Sequence, residues 1–134
     1  MRRRVLLLVL AAVFLHGCAA VRREGLSKRE KELTVTAYAY NSTKAQTDGR
    51  PEETASGHDL EPGMRAIAVS RDLEELGLTF GTKVHIEGLA GTWTVLHRVH
   101  PRNRRAIDIY MGVDVAAARR WGKRTVTVRW TAKD

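Results

Sequence analysis

Two side chains of proton-moving type in this 134-residue chain each interrupt an apolar pattern. Asp108 stands between Ile107 and Ile109 in A-I-D-I-Y, so in an extended strand its carboxylate points away from two large aliphatic groups. His97 breaks the alternation of T-W-T-V-L-H-R in the same way. Between them lie Arg98, Arg102, Arg104 and Arg105, and the stretch 94–112 reads as strand, basic loop, strand. An acid and an imidazole presented from paired strands suit general acid–base chemistry: a carboxyl kept protonated by burial can give up its proton and later take one back. Asp108 and His97 are the candidate catalytic residues. Two plainer roles stay open beside these: a strand-end acid neutralised by Arg98 or Arg105, and a histidine satisfied within the fold.

Tyr38 and Tyr40 alternate with alanine on one stretch and share a face, where they line a groove or fill core. With Arg98 and Arg105 they are the candidate binding residues. Trp93, Trp121 and Trp130 are expected in the core or at its rim, and His58 and His85 at the surface or in loops. The sequence holds no close cluster of histidine, cysteine and acid, so neither a metal nor a cofactor is expected.

The elements that must position these groups are short. Residues 34–40 alternate β-branched and aromatic residues with small ones and predict a strand. Residues 41–63 are polar and rich in turn formers, a loop long enough to be functional rather than idle. A strand over 64–70 ends at Ser70, which is placed to cap a brief helix stopped by Gly77. Residues 83–87 and 92–98 form a hairpin around G-L-A-G, and 106–110 is a fifth strand. Asp114 caps a second short helix, Gly122 ends it, and 124–130 is a sixth strand. No internal repeat stands out. Six short strands with two short helices predict a mainly β domain closed into a barrel, since closure leaves no exposed edge.

The N-terminal part follows other rules. Three arginines, an apolar run over 5–15 and then L-H-G-C make residues 1–17 a secretory leader too short to span a bilayer. Cys18 is the one cysteine, cannot form an internal disulfide, and sits where a bacterial lipoprotein takes its diacylglyceryl group. Alanine at position 19 fits an outer-membrane address facing the periplasm. Residues 18–33 are charged and lack an apolar period, as expected of a lipidated tether, which leaves 34–131 as the domain. Removing Arg2, Arg3 and Arg4 with the leader lowers the formal charge from +8 to +5. A basic protein exported from the cytoplasm would not meet nucleic acid, and an envelope polymer bearing carboxylates is the better partner.

The run T-V-T-A-Y-A-Y…A-I-A-V-S…G-T-K-V-H-I-E-G…R-R-A-I-D-I-Y-M-G…R-R-W-G-K-R-T-V-T-V-R-W resembles the 3D, or Asp-Asp-Asp, domain. That domain forms the C-terminal barrel of membrane-bound lytic transglycosylase A and occurs in stationary-phase survival proteins. The resemblance implies an RlpA-like double-psi β-barrel and action on peptidoglycan glycan strands. Of the three aspartates that name the family, the first falls on Ser70, with Asp72 nearby, and the second falls on His97. The third, the catalytic acid, is kept as Asp108. A lytic transglycosylase cleaves the MurNAc–GlcNAc β-1,4 bond with one carboxyl, which protonates the leaving oxygen and then draws a proton from the sugar's own 6-hydroxyl. The product is a 1,6-anhydro ring. The resemblance thus implies such cleavage centred on Asp108, with a catalytically silent peptidoglycan-binding module as the alternative. The larger domain paired with the barrel in the transglycosylase has no counterpart here, so a partner protein or a dimer is expected to complete the groove.

Overall fold

The structure, a computed structural model, describes residues 29–42 and 54–132. The leader, Cys18 and most of the tether predicted over 18–33 lie outside the described residues. Six strands and two helices follow in the order β1 (Glu30–Tyr40), β2 (Ala66–Val69), α1 (Arg71–Glu75), β3 (Lys83–Ile86), β4 (Trp93–Arg98), β5 (Ala106–Tyr110), α2 (Val115–Trp121) and β6 (Arg124–Thr131). They close into a barrel with the order β1-β5-β2-β4-β3-β6. β1 runs parallel to β5 and β2 parallel to β4, while the other four pairings are antiparallel.

That order hides a duplication. Exchanging β1 with β4, β2 with β5 and β3 with β6 leaves every neighbour relation unchanged. α1 follows β2 as α2 follows β5, so each half is two strands, a helix and a strand. The registers agree residue by residue: Ala66↔Thr94 and Ile67↔Val95 in one half match Ala106↔Thr36 and Ile107↔Ala37 in the other. An approximate two-fold axis crosses the barrel wall at the Ala68↔Asp108 pair and leaves it at Ile86↔Val128. The two halves interlock, because each parallel partner is supplied by the opposite half. β1 and β2 flank β5, and β4 and β5 flank β2, so the first two strands of each half straddle a strand of the other, the strand order of a double-psi β-barrel. R-A-I-A-V at 65–69 and R-A-I-D-I at 105–109 are the trace of this repeat in the sequence.

Inward residues fill the interior in the two-residue rhythm of a strand: Val35, Ala37, Ile67, Val69, Val84, Val95, Ile107, Ile109 and Val128 are almost wholly buried. Trp93, Trp121 and Trp130 join the same core, and Trp121 donates its indole N–H to the Ala37 carbonyl at 3.3 Å. A second, smaller cluster of Leu60, Ala66, Leu96 and Tyr110 lies on the outer face, with Tyr40 and Met64 against it. This is why all four residues of β2 are buried: the core lies on one side and the end of the long connection on the other.

β1 begins at Glu30, earlier than the strand predicted from 34. Residues 30–33 pair with Val128–Thr131 of β6, and Glu32 accepts a 2.6 Å hydrogen bond from Arg129. Their charges are the solvent face of a strand, not the signature of a tether. Both helices stop at the expected glycines, Gly77 at φ +104° and Gly122 at φ +64°, and Asp114 caps α2 by accepting from the Ala117 N–H at 2.8 Å. Ser70 precedes α1 but does not cap it with its side chain. Its hydroxyl accepts from the Ala106 N–H at 3.1 Å and so ties the end of β2 to the start of β5. Ser70 is fully buried, so Ser70→Ala leaves an orphaned amide and is expected to cost about 1–3 kcal/mol in urea unfolding. Ser70→Thr, which keeps the hydroxyl, should recover most of that loss.

Candidate functional site

One row of side chains crosses four strands on the outer wall. Tyr38 of β1 is the register partner of Asp108 of β5, Asp108 of Ala68 of β2, and Ala68 of His97 of β4. The inward isoleucines beside Asp108 force it outward, as the alternation predicts. A bulge at Leu96 between β2 and β4 brings His97 opposite Ala68. The row respects the approximate two-fold: Tyr38 corresponds to His97, and Asp108 to Ala68. The half with alanine supplies a small residue beside the acid, and the half with aspartate supplies the acid.

Asp108 is half-buried, and its carboxyl has neither a hydrogen-bond nor an ion-pair partner among the described residues. Burial pushes its pKa above the ordinary carboxylate value. Tyr40, diagonal to it, has a buried hydroxyl with no partner among the described residues. Burial first, then the Asp108 carboxylate and Tyr110, raise the Tyr40 pKa, so this hydroxyl stays protonated. Tyr40 packs on Tyr110 with ring centroids 5.4 Å apart, and the Tyr110 hydroxyl lies 2.8 Å from that of Ser42. Asp108 therefore sits on an aromatic floor that desolvates it and does not neutralise it.

His97 is not on a strand paired with that of Asp108. β2 runs between β4 and β5, so the two backbones stand roughly 10 Å apart across the intervening strand. His97 Nδ1 accepts a 2.7 Å hydrogen bond from the Ala55 N–H, and the Ser56 N–H donates to the Leu96 carbonyl at 3.2 Å. The imidazole thereby holds the end of the β1–β2 connection against β4. Burial and the neighbouring Arg98 lower its pKa, so the ring is neutral at neutral pH, with Nδ1 as acceptor.

The arginines do other work. Arg98 donates from Nε to Glu74 of α1 at 2.9 Å and lies 4.5 Å from the Phe80 ring centroid. Arg105 adopts a left-handed backbone, φ +49°. Its N–H donates to the Asp72 carboxylate at 2.9 Å and its Nε to the Thr34 carbonyl at 3.0 Å. Burial would raise the Asp72 pKa, but hydrogen bonds from the Ser70 hydroxyl and the Arg105 amide outweigh it and lower the value. Tyr38, Tyr40, His97 and Asp108 thus share one face, while Arg98 and Arg105 brace the barrel ends. Among the described residues, open clefts lie against Arg71, Glu74, Glu75 and Arg98, against Lys83, Thr94 and Leu96, and against His85, Glu87 and Arg129. Among the described residues, no group of three or more histidines, cysteines and acids is placed to hold a metal ion.

The fold and the row define a double-psi barrel with one desolvated acid on its outer wall. Among solved structures, the chain is similar to the E. coli lytic transglycosylase MltA in an apo form, at 19% identity and a TM-score of 0.45, over 60% of this chain and 28% of that one. It is also similar to a Clavibacter michiganensis expansin in complex with cellohexaose, at 17% identity and a TM-score of 0.45, over 78% of this chain and 52% of that one. The chain therefore spans at most about half the length of either neighbour, and at this distance the likeness carries no argument about activity. No protein-family model and no curated protein matches the chain.

Two stability measurements test these electrostatics. The native Asp108 pKa is raised, so above the ordinary carboxylate range the ionised group costs stability. Asp108→Asn is expected to raise the melting temperature at pH 7 by a few degrees, with the gain vanishing once the pH falls below that range. The native His97 pKa is lowered, so its contribution is complete above the unfolded value near 6.5 and is lost as pH falls through the native one. His97→Ala should cost about 0.5–1.5 kcal/mol at pH 8, and the deficit should shrink as the pH falls through the lowered native value, where protonation breaks the bond to Ala55 in the native protein as well.

Proposed function

We propose that this protein is a lipid-anchored envelope protein, held through Cys18 at the periplasmic face of the outer membrane, whose barrel acts on the glycan strands of peptidoglycan. The chemistry is lytic cleavage of the MurNAc–GlcNAc bond with Asp108 as the single acid and base. One observation carries this: a half-buried carboxyl with no partner among the described residues and a raised pKa, set beside Tyr38 on an outward face. Desolvation favours the protonated form of such a carboxyl, and in that form it can give its proton to a glycosidic oxygen. Once ionised it can take the proton of the sugar's 6-hydroxyl, and no second carboxylate is needed, because the nucleophile belongs to the substrate. His97 supports the site by holding the adjoining connection, not by exchanging protons with Asp108.

The alternative is a silent peptidoglycan-binding module. It is favoured by the serine and histidine at positions 70 and 97, where the resembled domain carries further acids. Incubating the purified protein with sacculi and analysing the soluble products by mass spectrometry separates the two. Cleavage releases 1,6-anhydro muropeptides, and Asp108→Asn should lower their rate of release roughly 10²-fold or more. Binding to sacculi without such products, equal in the native protein and the variant, would leave the module as the function.

A further inference from the structure

Lys123, in the turn between α2 and β6, carries no mark in the sequence that sets it apart from the other lysines. Its ammonium lies 5.7 Å from the centroid of the Tyr38 ring, within cation–π range. Tyr38 is half-exposed and is the register partner of Asp108, so its ring lies between the lysine and the acid. Three arginines near these strands are spent on the protein itself. Arg124 donates to the carbonyls of Trp121 and Arg120 and covers the Trp121 ring at 4.3 Å. Arg105 and Arg98 are held by Asp72, Thr34 and Glu74. Lys123 is exposed and has no acidic partner among the described residues.

We propose that Lys123 is the anion-recognising residue of a subsite next to Asp108, with Tyr38 as its platform, so that the site takes a glycan bearing carboxylates in preference to a neutral one. The inference deepens the function proposed above and rests on it. Geometry explains why the charge sits on Tyr38 and not on the acid. An ammonium paired with Asp108 would hold its pKa down, whereas burial alone acts there and raises it. The ring face holds the ammonium to one side, where it can meet a substrate carboxylate without ionising the acid. In peptidoglycan that carboxylate belongs to the stem peptide or, where the stem has been removed, to the lactyl group of muramic acid; in other polymers it is a uronate.

The test is binding of the purified protein to four ligands: intact sacculi, amidase-treated glycan strands in which loss of the stem peptide frees the lactyl carboxylate, oligogalacturonate, and a neutral chitin oligosaccharide. Lys123→Gln should weaken binding to the acidic ligands about 10-fold, the share of one charge-assisted contact. Lys123→Glu should weaken it further, Lys123→Arg should restore it, and chitin binding should not change. A loss on sacculi that disappears on amidase-treated strands assigns the contact to the stem peptide. A loss on the amidase-treated strands assigns it to the lactyl carboxylate they expose, and an equal loss on oligogalacturonate generalises it to any acidic sugar. Lys123→Glu binding all four ligands as the native protein does would overturn the subsite while leaving the Asp108 function intact. Native protein that binds no glycan at all would overturn both.

Discussion

The antiparallel pairing of β2 with β5 is the contact on which the rest of the architecture depends. Each of these strands also runs parallel to a strand of the opposite half, β4 for β2 and β1 for β5, so the barrel cannot close until this central pair has formed. Ala68 and Asp108 meet there, on the approximate two-fold axis, with Ile67 against Ile109 and Val69 against Ile107 directed into the core. The same four aliphatic side chains that lock the halves together fix the outward direction of the carboxyl. Ser70 and Asp72 extend the lock by holding the amides of Ala106 and Arg105. Ser70, where the resembled domain has an aspartate, and the nearby Asp72 thus take part in keeping Asp108 in place.

Near-symmetry also explains how a small barrel can keep an uncompensated acid. If both halves carried aspartate at this position, two carboxylates would face each other across the strand pair, and one would have to remain protonated. With alanine in one half, the other half's carboxyl meets burial without a like charge. Burial alone is enough to raise its pKa, because the tyrosines beside it offer aromatic surface and the arginines nearby are drawn off to α1, to Thr34 and to the end of α2. The cost in stability is local, and the interlocked core is well placed to carry it.

Much of the strand pattern was legible because a two-residue period in a short apolar segment fits a strand and little else. The hairpin, both helix stops, the Asp114 cap and the outward face of Asp108 followed from turn chemistry and alternation. The repeat was also written in the chain, as R-A-I-A-V and R-A-I-D-I, but a five-residue likeness forty positions apart gains meaning once both copies are seen to hold the same place in the barrel. The start of β1 was hidden because charged residues on the solvent face of a strand have the composition of a tether. Arg98 and Arg105 stand out in the sequence by their charge. Composition cannot show that a cation is already satisfied by Glu74 or by a carbonyl.

The sequence by itself determined the elements, the inward and outward faces of each strand and the identity of the one acid. These are local properties, set by side-chain volume, polarity and backbone preference over a few residues. The tertiary structure alone decided that β2 separates His97 from Asp108, that the imidazole holds Ala55, and that Lys123 stands over Tyr38 from a turn far along the chain. Strand order in a closed barrel is a choice among pairings of similar strands, made by the collective fit of the core, and no short window of sequence contains it.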